Sequence, residues 1–191
     1  MEAQEFWERF KNLFTEGSES LTDARKYWER PREFTNQFVN VYIPEIITDE
    51  NDRSEFEFEY FRIDIISYLS RKDEAKEYGY DSKKLKPYLW DLKVAFEHEN
   101  NNTEWLDEVI KLSHIRCPLR IVVCYFTEGE ERAKALNFAS AMLCKKIGKN
   151  VAEGEQFLLI VGDSGRRAKQ VNVSTYTPYL YQNGEFKIQN W

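Results

Sequence analysis

Apolar positions recur along this chain with two periods, and the change from one to the other divides it. Residues 4–16 set Phe6, Trp7, Phe10, Leu13 and Phe14 on one stripe at helical spacing. Glu16-Gly17-Ser18 interrupts that stripe. A second helical stretch runs from Leu21 to Ile47, with Tyr27, Phe34, Phe38, Val41 and Tyr42 in phase. Pro31 breaks it, because proline lacks an amide proton and crowds the preceding turn, and Pro44 marks its end. After the polar turn Glu50-Asn51-Asp52-Arg53 the pattern becomes β-like. Residues 55–69, rich in Phe, Tyr and Ile, form one bent strand or two short ones. Residues 71–87 are densely charged, contain Gly79 and Pro87, and read as an excursion between strands.

A second strong strand covers 89–99 and closes in the turn Asn100-Asn101-Asn102. Thr103 is placed to cap a helix whose first turn carries Glu104, Asp107 and Glu108, as the helix dipole favours. Its apolar stripe is Trp105, Val109 and Leu112. Beyond Pro118, the apolar run Leu119–Phe126 has the character of a strand buried on both faces. Glu130–Lys149 is a helix with Leu136, Ala139, Leu143 and Ile147 in phase, stopped at Gly148. Phe157–Val161 is another buried strand, and Asn183-Gly184 signals a hairpin. The order of helices, then β, β, α, β, α, β, predicts an α/β fold: a central mixed sheet with helices on both faces. No internal repeat or low-complexity segment divides the chain, so a single domain is expected. Residues 1–17 are its N-terminal amphipathic helix, 20–162 its core and 163–191 a C-terminal β-rich extension.

Composition narrows the function classes. At 191 residues, 42% apolar and 15% aromatic, the chain can bury a sizeable core. It has no run of about 18 apolar residues that would span a membrane, and its N-terminus lacks the basic-then-apolar order of a secretory signal. Three cysteines without metal-like spacing (Cys117, Cys124, Cys144) suit buried thiols in a reduced, cytoplasmic setting. The sequons at Asn101 and Asn172 are then coincidental. The net charge of −6 gives no general pull on nucleic acid. Local basic clusters occur at Lys83, Lys84 and Lys86, at Lys145, Lys146 and Lys149, and at Arg166, Arg167 and Lys169; each is also what a solvated face looks like.

The candidate chemistry lies at the end of the second strand. On alternation Leu92, Val94, Phe96 and His98 point one way, and Lys93, Ala95, Glu97 and Glu99 the other. Two acids at one strand end repel each other unless a cation lies near. Asp64, among Ile63, Ile65 and Ile66, needs a partner such as Arg62 or a metal. Three carboxylates on adjacent strands make an oxygen-rich cradle that suits Mg²⁺. The plain alternative is an edge strand with a wet acidic face. His98 falls on the apolar side, the usual place of a structural histidine. His114 has no paired ligand, and two histidines with scattered cysteines do not assemble a zinc site. Gly162-Asp163-Ser164-Gly165 looks like a serine-protease nucleophile motif, but strong helices and the lack of a matching His region argue for a turn closing a strand. No G-x-x-x-x-G-K-[ST] or G-x-G-x-x-G sequence supports a nucleotide cofactor.

Over residues 20–126, with an extension to 162, the order helix, β with Asp, β ending in Glu-x-polar, helix, β resembles the PD-(D/E)XK phosphodiesterase superfamily, the restriction-endonuclease-like fold. The resemblance implies a metal-dependent nuclease acting on DNA or RNA. Asp64 and Glu97 would hold Mg²⁺ or Mn²⁺, and Glu99, standing where the family usually has Lys, would hold metal or take a proton. Lys111 would act as a migrated lysine offsetting phosphate charge; Lys93 shares the face of Glu97 but lies further from the strand end. Glu45, in competition with Glu55 and Glu59, would be an accessory carboxylate, and Asn100 would orient substrate or water. Two departures stand out: Ile63 replaces the family's Pro, and the Lys is missing. The rival reading is a catalytically inactive nuclease-like domain serving as a nucleic-acid or protein binding module. The aromatic N-terminal helix offers a homodimer contact as an alternative to packing on its own core.

Overall fold

A computed structural model describes residues 1–15, 35–48, 54–80, 90–101, 103–126, 129–163 and 175–191. The expected features at Glu16-Gly17-Ser18, Leu21, Tyr27, Pro31, Phe34, 50–53, Pro87 and Asn102 lie outside these, as do Ser164-Gly165 and the basic clusters at 83–86 and 166–169. Helix α1 (Ala3–Thr15) is followed by a π-helical turn (Phe38–Tyr42) that runs into α2 (Ile43–Ile47). Next come strands β1 (Glu55–Tyr60) and β2 (Ile63–Ser70), the short helix α3 (Lys72–Glu77) and β3 (Trp90–Glu99). Helix α4 (Trp105–Ser113), β4 (Leu119–Phe126), α5 (Glu130–Ile147) and β5 (Gln156–Asp163) alternate after that. Strands β6 (Tyr176–Gln182) and β7 (Glu185–Ile188) complete the described elements.

The seven strands form one mixed sheet in chain order, β1 to β7. Pairing is antiparallel except for β3–β4 and β4–β5, which are parallel. A parallel pair needs a crossover, and α4 and α5 supply the two crossovers. Both pack on one sheet face, where Trp105, Val109, Leu112, Ala139 and Leu143 meet Ala95, Val122 and Leu159. The other face is covered by α1, the π-turn and α2, with Phe6, Phe10, Phe38 and Ile43 against Val94, Phe96, Ile121 and Ile160. Every residue of β4 is buried, as its mainly apolar run predicts for a central strand, and the one charged residue in it, Arg120, pairs with Glu155. The β6–β7 hairpin extends the same sheet beyond β5. The aromatic stripe of α1 is spent on this core: Phe10 alone meets the rings of Phe6, Trp7, Phe14, Phe38 and Tyr176 at 5.2–6.1 Å.

Two local expectations are corrected. The helix does not end at Pro44 but continues to Ile47. Proline cannot donate to a carbonyl behind it. The wider π-turn before it, in which the Ile43 N–H reaches the Phe38 carbonyl, puts Pro44 in the first turn of α2, where no donor is required. Thr103 does not cap α4; Glu104 holds that position without a side-chain cap. Thr103 instead donates its N–H and Oγ1 to Asn101 Oδ1, closing an Asx turn. Residues 55–69 form two strands, separated at Phe61-Arg62.

Two-residue turns close both outer hairpins, with opposite local chemistry. Asn183-Gly184 (φ +55° and +84°) suits a turn that demands positive φ at both positions. Phe61-Arg62 adopts the same handedness (φ +49° and +63°) against the preference of both residues, and Glu59 (φ +55°) adds a third left-handed residue nearby.

Replacing Phe61-Arg62 by Asn-Gly should raise stability by about 1–2 kcal/mol, since φ strain is relieved and Phe61 is 70% exposed. Phe10→Ala should cost about 3–5 kcal/mol. Urea unfolding monitored by circular dichroism measures both. An unchanged midpoint for Phe10→Ala would contradict the packing of α1.

Candidate active site

The register of β2 on β3 creates the site. Ile65 pairs with Phe96 and Ile66 with Ala95, so one residue further along Asp64 comes opposite Glu97. Both acids point to the face covered by α4. Asp64 Oδ2 accepts the His98 N–H at 2.8 Å, and the Asp64 N–H approaches Glu97 Oε2 at 3.4 Å. The carboxylates thus replace ladder bonds where the two strands part. Glu97 is only 2% exposed. Helix α4 brings Lys111 over the pair: its Nζ lies 2.5 Å from Glu97 Oε1, contacts Glu108 Oε2, and donates to the Arg62 carbonyl at 2.5 Å.

The electrostatics follow from burial. Desolvation pushes Glu97 up to about 9, Asp64 adds to the rise, and Lys111 works against it. Asp64 is raised to about 6, again by burial first, with the His98 N–H and Lys111 pulling it down. Glu108 pushes both acids upward, and Glu59 does so for Asp64. Burial alone would lower Lys111, but Glu108 and Glu97 outweigh it and hold the ammonium above the ordinary lysine range. Asp64, Glu97 and Glu108 against Lys111 leave two excess negative charges when all are ionised.

The expected residues separate as follows. Asp64, Glu97 and Lys111 come together. Glu99 sits one pleat beyond Glu97, and its Oε1 accepts the Asn101 N–H at 2.5 Å; the charges that act most on Asp64 and Glu97 do not include it. Asn100 reaches Thr35, just before the π-turn. Glu45 is exposed on α2, in the helix layer on the opposite sheet face. Glu55 accepts from the Tyr68 hydroxyl at 3.2 Å, while Glu59 is the acid of those three that acts on Asp64. Lys93 is half-buried at the opposite end of β3, in an open groove of about 580 Å³ shared with Asp91, Arg116 and Glu155. Among the described residues, no group of three or more His, Cys, Asp or Glu has metal-holding geometry.

Glu108 and the Arg62 carbonyl were not anticipated. Glu108 reads as an ordinary first-turn acid of α4. Its spacing of three from Lys111 was the available signal, because residues three apart share a helix face. Behind the site, His98 turns to the opposite face as alternation requires. Its Nε2 meets the Tyr125 hydroxyl at 2.8 Å, and burial takes its pKa down to about 3, so the ring stays neutral. Tyr125 has room only because residue 162 lacks a Cβ, which would lie 2.6 Å from the Tyr125 ring. That packing gives Gly162-Asp163 a structural reason. Cys117 and Cys124 are buried free thiols, and no described helix is long and apolar enough to cross a membrane.

Comparison with known proteins finds no matching family model, no similar curated protein and no matching solved structure. The geometry alone therefore bears on function.

A carboxylate whose pKa is raised by folding favours the native state most below its unfolded pKa, and that contribution is lost as pH rises through the folded value. For Asp64 and Glu97 the loss runs from about 4 through about 6 and about 9. The stability of Glu97→Gln relative to the parent should therefore grow from about pH 5 to about pH 9. Urea midpoints across that range test it; a difference that shrank with pH would contradict the buried acid pair.

Proposed function

We propose that this chain is a divalent-metal-dependent phosphodiesterase of the PD-(D/E)XK kind, hydrolysing DNA or RNA. The observation that carries the reading is the meeting of Asp64, Glu97 and Lys111 where an antiparallel strand pair runs into a crossover helix. The rest of the arrangement agrees: a helix precedes a β1–β2–β3 meander, α4 crosses over, and β4 returns parallel to β3. This supports a restriction-endonuclease-like core.

The donor set suits a hard cation. Mg²⁺ is commonly held by one or two carboxylates, with water and substrate phosphate supplying the other oxygens. Asp64 and Glu97 are such a pair, held above their normal pKa values first by burial, with Asp64 raising Glu97 further and Glu108 raising both, repulsion that a dication would offset. When bound, Mg²⁺ or Mn²⁺ supplies Lewis-acid activation of phosphate and water. The chain's own groups do the rest. Asp64 and Glu97 are the residues that would hold the ion, and the His98 N–H fixes one Asp64 oxygen. Lys111 offers positive charge to a non-bridging phosphate oxygen as negative charge grows there. Glu99, half-buried at the strand end, is the carboxylate available to receive the proton of the attacking water.

A binding module without turnover is the second reading. It is favoured by the Lys111 ammonium, which already occupies the space between Glu97 and Glu108, and by the net charge of −6.

Two measurements test the proposal. Mn²⁺ or Mg²⁺ should raise the melting temperature of the parent and leave that of Asp64→Asn unmoved, because only a ligand bound to the native state stabilises it. Plasmid and single-stranded substrates should be cleaved in the presence of either metal, and Glu97→Gln should lower the rate at least about 100-fold. Equal nicking by parent and variant would refute the nuclease reading. Metal-dependent nucleic-acid binding without cleavage would select the binding module.

A further inference from the structure

We propose that Glu108 and the Arg62 carbonyl are positioning groups for Lys111, holding its ammonium at the rim of the acid pair to meet a phosphodiester oxygen of the substrate. The inference rests on the phosphodiesterase reading and assigns work to two groups outside the acid–acid–lysine set. A lysine head on a four-carbon stem has many positions open to it. Here three oxygens from three different elements surround one Nζ: Glu97 from β3, Glu108 from α4, and the Arg62 carbonyl from the β1–β2 turn. The Arg62 carbonyl accepts a hydrogen bond from the ammonium, and the two carboxylates hold it as ion pairs.

The set of three matters because Glu97 has two duties. An ion drawn to Asp64 and Glu97 competes with Lys111 for the same carboxylate. Held by Glu97 alone, Lys111 would be released when the ion arrives. Glu108, one helical turn back on the same face, and the Arg62 carbonyl keep the ammonium beside the pocket. The strained turn then has a purpose. Positive φ at Phe61 and Arg62 is unfavourable for both residues, yet this turn is what presents the Arg62 oxygen to Lys111. Lys111 keeps 28% of its side chain exposed and Glu108 keeps 20%, so the ammonium is anchored and still open to a ligand.

The experiment compares the full-length parent with Glu108→Gln, Glu108→Asp, Lys111→Met and the double variant Glu108→Gln/Lys111→Met. Three quantities are read: Mn²⁺ affinity by electron paramagnetic resonance of the free ion, kcat and KM on an oligonucleotide, and the ¹⁵N ammonium signal of Lys111 by NMR. Glu108→Gln should lower kcat between about 10- and 100-fold, the size expected when a charged group is misplaced. KM and Mn²⁺ affinity should hold. Glu108→Asp should recover part of the loss, and the double variant should be no worse than Lys111→Met alone, as for residues that act as a unit. The ammonium signal should be sharp in the parent and broadened in Glu108→Gln. Weakened Mn²⁺ affinity in Glu108→Gln that persists with Lys111→Met would make Glu108 a metal ligand and overturn the proposal. So would an ammonium signal unchanged by Glu108→Gln. The NMR and Mn²⁺ readouts need no turnover, so they decide the clamp even if the parent cleaves nothing, an outcome that would sink the phosphodiesterase reading instead.

Discussion

The register between β2 and β3 is the constraint on which the site depends. Side chains alternate across a strand, so slipping this pair by one residue would carry Asp64 to the face of Phe96 and His98. Ile65 and Ile66 prevent the slip, because both are fully buried, one against each helical layer. Two apolar residues therefore fix the position of a polar one. Asp64 and Glu97 face each other because Ile65 pairs with Phe96 and Ile66 with Ala95 in the same register.

The second sheet face supports the first. The His98 N–H anchors Asp64 while its ring points the other way, onto the Tyr125 hydroxyl and beside Phe38 at 5.0 Å. Tyr125 in turn fills the space left beside Gly162 and meets the Tyr176 hydroxyl at 3.3 Å. The backbone of one residue thus ties the acid pair to a buried polar chain under α1 and the π-turn. The neutrality of His98 suits this role: a charged ring would be costly there. The ring itself lies on the opposite side of the sheet from Asp64 and Glu97.

Much of this was legible in the amino-acid pattern, for a physical reason. The core strands β4 and β5 and the stripes of α1 and α4 are dictated by burial, which leaves a periodic trace. Asp64 and Glu97 could be singled out because a carboxylate among isoleucines, or at the end of a buried strand, conflicts with its neighbours; Lys111 was implied only by the family resemblance, as a lysine on the next helix. Glu108 shows no such conflict: an acid in the first helical turn is locally favourable, and only the tertiary approach of α4 to β3 gives it a second partner. The Arg62 carbonyl is invisible for a deeper reason, since every residue has one. Pro44 misled because a π-turn, set by packing across the helix, moved it to a tolerated position. Thr103 does not cap α4 because its N–H and hydroxyl are spent on Asn101 Oδ1, one turn before the helix.

The outer strand β1 has a consequence for how copies of this chain meet. Its sequence is Glu-Phe-Glu-Phe-Glu-Tyr, and among the described residues it forms one edge of the sheet, with Phe56 42% exposed. Such a rim invites another molecule to add a strand, and a row of aromatics would encourage it. Glu55, Glu57 and Glu59 alternate with them, so a like strand laid alongside would bring carboxylates into register with carboxylates. The rim guards itself against self-stacking by charge, and that guard weakens wherever high salt screens the glutamates.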